Sequence, residues 1–149
     1  MKVCVAGTFN VIHKGHTELL RKAFEEGEEV FIGLTSDEMA ESLRVVSVQS
    51  YVVRERHLID EAQRLSGGKR FHIVRITDEH GPAAAGNYDA IIVSKETEST
   101  AADINDVRKM KGLKQLKIIT IDMILADDGK PVSSTRILRG EITADGNAR

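Results

Sequence analysis

The residues best able to do chemistry lie close to the amino terminus. His13 and His16 sit three apart in GTFNVIHKGH, residues 7–16, with Gly15 directly before the second histidine. A second group, PVSSTRI at residues 131–137, gathers Ser133, Ser134 and Thr135 ahead of Arg136. Two imidazoles at this spacing could hold a metal, form a catalytic pair or donate to an anion. Structural zinc takes four ligands and catalytic zinc at least three. Cys4 falls inside a strand pattern, and His57, His72 and His80 are scattered without helical or hairpin spacing to the pair, so a zinc site finds no further ligands. An anion needs only donors. Gly7 lets backbone approach a ligand, and Gly15 opens a helix whose first N–H groups and dipole attract phosphate oxygens. The SST run supplies hydroxyls and N–H groups at another helix start, and Arg136 adds a charge that reaches phosphate. Taken singly, each group has a plain alternative: two polar loop histidines, and a serine N-cap.

The elements that must position these groups follow from hydrophobic pattern. KVCVAG is a short apolar run ending in glycine, as expected of a strand buried on both faces. Leu19, Leu20, Ala23 and Phe24 then fall at helical spacing from Gly15 to a stop at Gly27, and EEVFIGLT follows as a second strand. This βαβ unit predicts a right-handed crossover. SDEMAESLR predicts a short helix capped by Ser36, and residues 53–65 a longer one closed by Gly67 and Gly68. FHIVRIT, YDAIIVS and LKIITIDMI are the third, fourth and fifth strands, with a helix over TAADINDVRKMKGL. The alternation predicts an α/β, Rossmann-like doubly wound sheet of about five mainly parallel strands with helices on both faces. The linking stretch RVVSVQSY, residues 44–51, interrupts the rhythm and reads as a loop or flap over the site. The whole chain, 1–149, reads as one domain, with residues 143–149 expected to fray.

Composition narrows the partners. Lys and Arg number 21 against 23 Asp and Glu, a net charge of -2, which argues against a nucleic-acid polymer. No apolar run approaches the about 18 residues of a membrane span, and MKVCVAG has no basic-then-apolar leader. With one cysteine there is no internal disulfide, and a cytoplasmic location is expected.

TFNVIHKGH resembles the T/S-F-D-x-x-H-x-G-H signature of the nucleotidylyltransferase superfamily, the HIGH-type enzymes related to class I aminoacyl-tRNA synthetases, and PVSSTRI is similar to that superfamily's I-S-S-T-R-I. GLTSDEMA (33–40), YVVRERHL (51–58), IIVSKETESTAADIN (91–105) and LADDGKPVSSTRILRGEI (125–142) extend the likeness to the archaeal phosphopantetheine adenylyltransferase family, over nearly the whole chain and in the same order. The resemblance implies adenylyl transfer from ATP to 4'-phosphopantetheine, giving dephospho-coenzyme A and pyrophosphate. FMN adenylyltransferases and glycerol-phosphate-type cytidylyltransferases share the opening motif, and a non-catalytic nucleotide-binding domain on this fold is a further alternative.

The resemblance also implies roles. A phosphate monoester is already a nucleophile, so catalysis would rest on positioning and on neutralising charge at the α-phosphate and the leaving pyrophosphate. His16 would meet the α-phosphate; His13 and Arg136 the β and γ phosphates, supported by Ser133, Ser134 and Thr135. Gly7, Phe9 and Gly15 would shape the nucleotide loop, and Ser94 and Glu96 in VSKET would border the adenine. Thr8 would bridge nucleotide and acceptor, with Asn10, Arg44 and Arg54 on the acceptor side. Asn10 departs from the usual aspartate. Arg54 and Arg56 read equally as a solvated helix face pairing with Glu55 or Asp60. Mg²⁺ would enter through the ATP phosphates, with no dedicated protein ligands.

Overall fold

The computed structural model describes residues 1–43, 47–78, 81–122, 124–130 and 132–147. Among the described residues five strands, β1 (Lys2–Gly7), β2 (Glu29–Thr35), β3 (Arg70–Ile76), β4 (Ala90–Ser94) and β5 (Lys117–Ile121), form one sheet in the order β3-β2-β1-β4-β5. Every pairing is parallel. All five strands therefore end at one edge, and the order reverses between β1 and β4. In open α/β sheets this reversal is where ligands bind.

The helices are α1 (Lys14–Glu26), α2 (Asp37–Leu43), α3 (Tyr51–Ser66), α4 (Glu98–Met110) and the short α5 (Ser134–Leu138). Period-2 alternation sorts the strand residues. Val3, Val5, Val30, Ile32 and Leu34 turn to one face and pack on Leu20, Phe24 and Leu58 of α1 and α3. Cys4, Ile91 and Val93 turn to the other, against Ala101 and Ile104 of α4. Both faces are covered, which is why the strands read as continuous apolar runs. Ser36 Oγ accepts from Met39 N at 3.2 Å, the cap that starts α2. Among the described residues no helix is long and apolar enough to cross a membrane.

Two expectations are corrected. Within the stretch expected to fray, residues 143–147 are held by hydrogen bonds: Ile142 is buried beside Ala126 and Val132, Lys14 N donates to Ala144 O at 3.0 Å, and Asp127 N to Gly146 O at 2.8 Å. The hydrogen bonds run backbone to backbone, so polar side-chain composition gave no sign of them. Arg54 is not on a solvated helix face. Its side chain is wholly buried, while Arg56 is exposed. Of the 44–51 link, residues 44–46 lie outside the described residues, α3 already begins at Tyr51, and 47–50 carry no helix or strand.

Candidate active site

The histidine motif forms the turn between β1 and α1, at the reversal point of the sheet. His13 is the N-cap of α1, and the two histidines form a reciprocal capping box. His13 Nδ1 accepts from Gly15 N at 3.0 Å and His16 N at 3.4 Å, while His16 Nδ1 accepts from His13 N at 3.3 Å. A backbone N–H can only donate, so each Nδ1 is without a proton and each ring carries its proton on Nε2. Both imidazoles are thereby fixed as Nε2–H donors. Their centroids stack 3.7 Å apart at 21°, and Phe9, buried and held at a positive φ of 49°, packs on His16 at 4.8 Å.

This geometry accounts for Gly15. A Cβ there would lie 2.9 Å from His13 Cε1 and 3.1 Å from Nδ1, so any side chain would displace the ring that caps the helix. It also corrects the expectation of an open helix start. The N–H groups of Gly15 and His16 are taken by His13, and that of Lys14 by Ala144 O. An anion at this edge would be met by side-chain donors rather than by the backbone of α1.

Thr8 is buried and its hydroxyl accepts from Thr35 Oγ1 at 3.2 Å. Gly7 and Thr8 border a cavity of about 440 Å³ on the α4 face of the sheet, together with Thr35, Met39, Thr97 and Thr100 at the same edge. Its walls are mostly apolar, among them Phe31, Ile76 and Tyr88. Sequence reasoning missed this cavity. Ala6 and Gly33, register partners on β1 and β2, are among its lining, and Gly33 lets Ile76 pack against the sheet: a Cβ there would meet Ile76 Cδ1 at 2.4 Å and Ala6 Cβ at 3.3 Å. Cys4 borders the same space, and burial pushes its thiol up to about 12, far from thiolate chemistry at neutral pH.

Other expected site residues fall in different settings. Asn10 is buried, and its amide is committed to the chain: Nδ2 donates to Ser47 O at 3.1 Å and Oδ1 accepts from Gln49 N at 2.8 Å. The amide clasps residues 47–49 from both ends, which an aspartate, having no donor when ionised, could do only by half. Arg54 likewise turns inward, from Nε to Gln49 O at 2.7 Å, from NH1 to Thr8 O at 2.9 Å and from NH2 to Asp37 Oδ1 at 3.1 Å. Arg44 lies outside the described residues. Ser94 ends β4 next to β1 and turns on Thr97, whose Oγ1 accepts from Ser94 N at 3.2 Å; Glu96 is exposed in that turn.

At the far end of the chain, Ser133 Oγ accepts from Arg136 N at 3.2 Å, which caps α5 and leaves the hydroxyl proton to donate. Arg136 pairs with Asp128 and, at 3.1 Å, with Glu141. The Lys130 N–H, followed by Arg136, holds the Asp128 carboxyl below the usual carboxylate range, and the Asp128 hydrogen bond raises Arg136. The segment carrying α5 reaches the histidine motif through the Lys14–Ala144 hydrogen bond. Among the described residues no group of three or more His, Cys, Asp or Glu is placed to hold a metal ion.

Comparison with known proteins adds an independent line. The Cytidylyltransferase-like family model matches residues 4–140. A phosphopantetheine adenylyltransferase of Methanothermobacter thermautotrophicus is 44% identical over 146 residues, covering 97% of this chain and 87% of the relative. Its counterpart from Methanosarcina mazei is 41% identical over 151 residues, covering 99% and 97%. A solved structure of a protein of unknown function from Archaeoglobus fulgidus superposes with a TM-score of 0.75 at 32% identity, over 82% of this chain and 90% of that one.

Proposed function

The chain belongs to the cytidylyltransferase-like family, and from that premise we propose that it transfers the adenylyl group of ATP to 4'-phosphopantetheine, forming dephospho-coenzyme A and pyrophosphate. The observation that carries the choice of acceptor is the cavity of about 440 Å³ that Gly7 and Thr8 help to line. A phosphate at its mouth and a long, weakly polar arm along its apolar walls describe a phosphopantetheine. Concave, mostly apolar space with a few polar groups at one end is what such a ligand needs.

In the reaction an acceptor phosphate oxygen attacks the α-phosphorus in line, forming the new P–O bond as the bond to the β-phosphate oxygen breaks. No general base is required, because the attacking oxygen is already anionic. The chain supplies donors held in place beforehand. His16 Nε2–H serves the α-phosphate, where charge grows in the transition state. His13 Nε2–H and Arg136 serve the departing phosphates, with Ser133 at the start of α5 in support. The Thr8 hydroxyl stands between the two substrates. The adenine lies by Ser94 and Glu96. Mg²⁺ would be held through the ATP phosphates and would offset their charge. Neither a nucleic-acid polymer nor a membrane enters this reading, and the expected location stays cytoplasmic.

The test is an acceptor panel. With ATP and 4'-phosphopantetheine, dephospho-coenzyme A and pyrophosphate should form in equal amounts, measured by mass and by coupled pyrophosphate assay. Pyrophosphate from ATP with FMN, or from CTP with glycerol 3-phosphate, and none with phosphopantetheine would overturn the choice. Binding of ATP without turnover on any acceptor would mark a binding domain instead.

A further inference from the structure

We infer that Thr35 and Arg54 are positioning residues that aim the Thr8 hydroxyl proton at the reacting phosphates, an inference that rests on the adenylyl-transfer reading above. Three buried groups form a directional chain. Arg54 NH1 donates to Thr35 Oγ1 at 3.4 Å, and Thr35 Oγ1 donates to Thr8 Oγ1 at 3.2 Å. A guanidinium has no acceptor, so the first link can run only one way. With its oxygen engaged by Arg54, Thr35 turns its own proton toward Thr8. Thr8 Oγ1 then accepts from Thr35, and its single proton must point away from Thr35.

The same guanidinium fixes the backbone on which that hydroxyl rides. NH1 also donates to Thr8 O at 2.9 Å, so Arg54 holds both the carbonyl of Thr8 and, through Thr35, its side chain. The partners of the positive charge make it a fixed point: Asp37 Oδ1 accepts from NH2, and the same oxygen accepts from Tyr51 N at 2.7 Å. Gln49 O accepts from Nε at 2.7 Å, next to the residues that Asn10 clasps. One arginine thus joins β2, the start of α3 and the β1–α1 turn. A hydroxyl whose oxygen already accepts from Thr35 keeps its own proton for another acceptor. An oriented donor stabilises a transition state more than a rotating one does, because no reorganisation is needed as charge develops.

Thr35→Val removes the hydroxyl at nearly constant shape. The expected result is a fall in kcat of about tenfold, the scale of one oriented hydrogen bond, with KM for ATP changed less than twofold. Thr35→Ser should restore turnover. In a Thr8→Val background, Thr35→Val should cost nothing further, because the group it orients is gone. If Thr35→Val fails to fold by circular dichroism, Thr35→Cys, of similar volume and with only a weak S–H donor, takes its place. Wild-type turnover in either Thr35 variant, no rescue by serine, or losses that add fully to Thr8→Val would overturn the inference. Each comparison uses whichever acceptor of the panel the parent protein turns over. Turnover of an acceptor other than phosphopantetheine therefore defeats the acceptor assignment alone, and no turnover on any acceptor defeats both.

Discussion

The two ends of the proposed phosphate cradle are built on opposite principles. At the amino-terminal end, His13 and His16 are stacked, capped into α1 and backed by Phe9, and their donor atoms are set by backbone N–H groups. At the carboxy-terminal end, Arg136 sits on a helix of five residues and meets carboxylates, Asp128 and Glu141. The first end keeps its donors oriented whether or not a nucleotide is present. The second must exchange carboxylate partners for phosphate. Preorganised donors lower the barrier to chemistry, whereas a group that first gives up a partner contributes to binding only the difference between the two. The histidines should therefore govern turnover, and Arg136 affinity.

The largest effect should come from His16→Ala. Removing a fixed transition-state donor should lower kcat by on the order of 10² or more, with the circular dichroism spectrum unchanged and KM for ATP altered far less. A variant with full turnover would remove His16 from the chemistry and leave it a capping residue alone. Gly15→Ala tests the same end without replacing a donor. Its Cβ would press on His13 Cε1, so the ring must leave its cap. Loss of an N-cap typically destabilises by about 1 kcal/mol, and a fall in kcat of roughly tenfold should accompany it if the imidazole's position matters as argued. Kinetics and thermal melting on one preparation separate the two effects. A stable, fully active Gly15→Ala protein would show that the capping box is dispensable.

The legibility of these features in the sequence follows the same divide. Strands β1 and β2 announced themselves because both faces of a parallel sheet are covered, and the histidine motif stood out because PVSSTRI accompanies it at the far end of the chain. The cap formed by its rings was invisible, since histidine is not among the usual capping residues. Arg54 shows a second kind of blindness. On a helix with Glu55 and Asp60 nearby, an arginine reads as surface, and only the tertiary arrangement brings the Thr8 and Gln49 carbonyls to its guanidinium. The cavity is a third case. Sequence patterns register runs along the chain, while the walls of this space come from β1, β2, β3, β4 and α4 and meet only in the fold. Asn10 looked like a flaw in the motif. In the fold its amide donates and accepts at once, and it ties residues 47–49 to the β1–α1 turn.

At the exchanging end, Arg136→Ala should raise KM for ATP by about tenfold, the scale of a charge-assisted contact, and change kcat by less. An equal fall in kcat with KM unmoved would place Arg136 among the transition-state donors and erase the contrast between the two ends.

The smallest effect, and the most specific to this comparison, belongs to Asp128→Asn. The variant removes a competitor for Arg136, so KM for ATP should fall a few-fold, in keeping with an exposed pair. Its stability cost carries a sign in pH. The Asp128 carboxyl is held below its ordinary range, chiefly by the Lys130 N–H and next by Arg136. A depressed carboxylate stabilises the fold fully above its unfolded pKa of about 4, and that contribution is lost as pH falls through the lower folded value. Melting temperatures of parent and Asp128→Asn proteins should thus differ by a constant amount from pH 5 to 8, roughly the range where both forms of the carboxylate are ionised. They should converge below pH 4, about where the unfolded carboxylate takes up its proton. A gap that widens on acidification would mean that Asp128 does not owe its low pKa to the folded contacts seen here. A gap with the expected pH course but an unchanged KM would mean that Arg136 keeps Asp128 when nucleotide binds, and that only the amino-terminal end of the cradle engages phosphate.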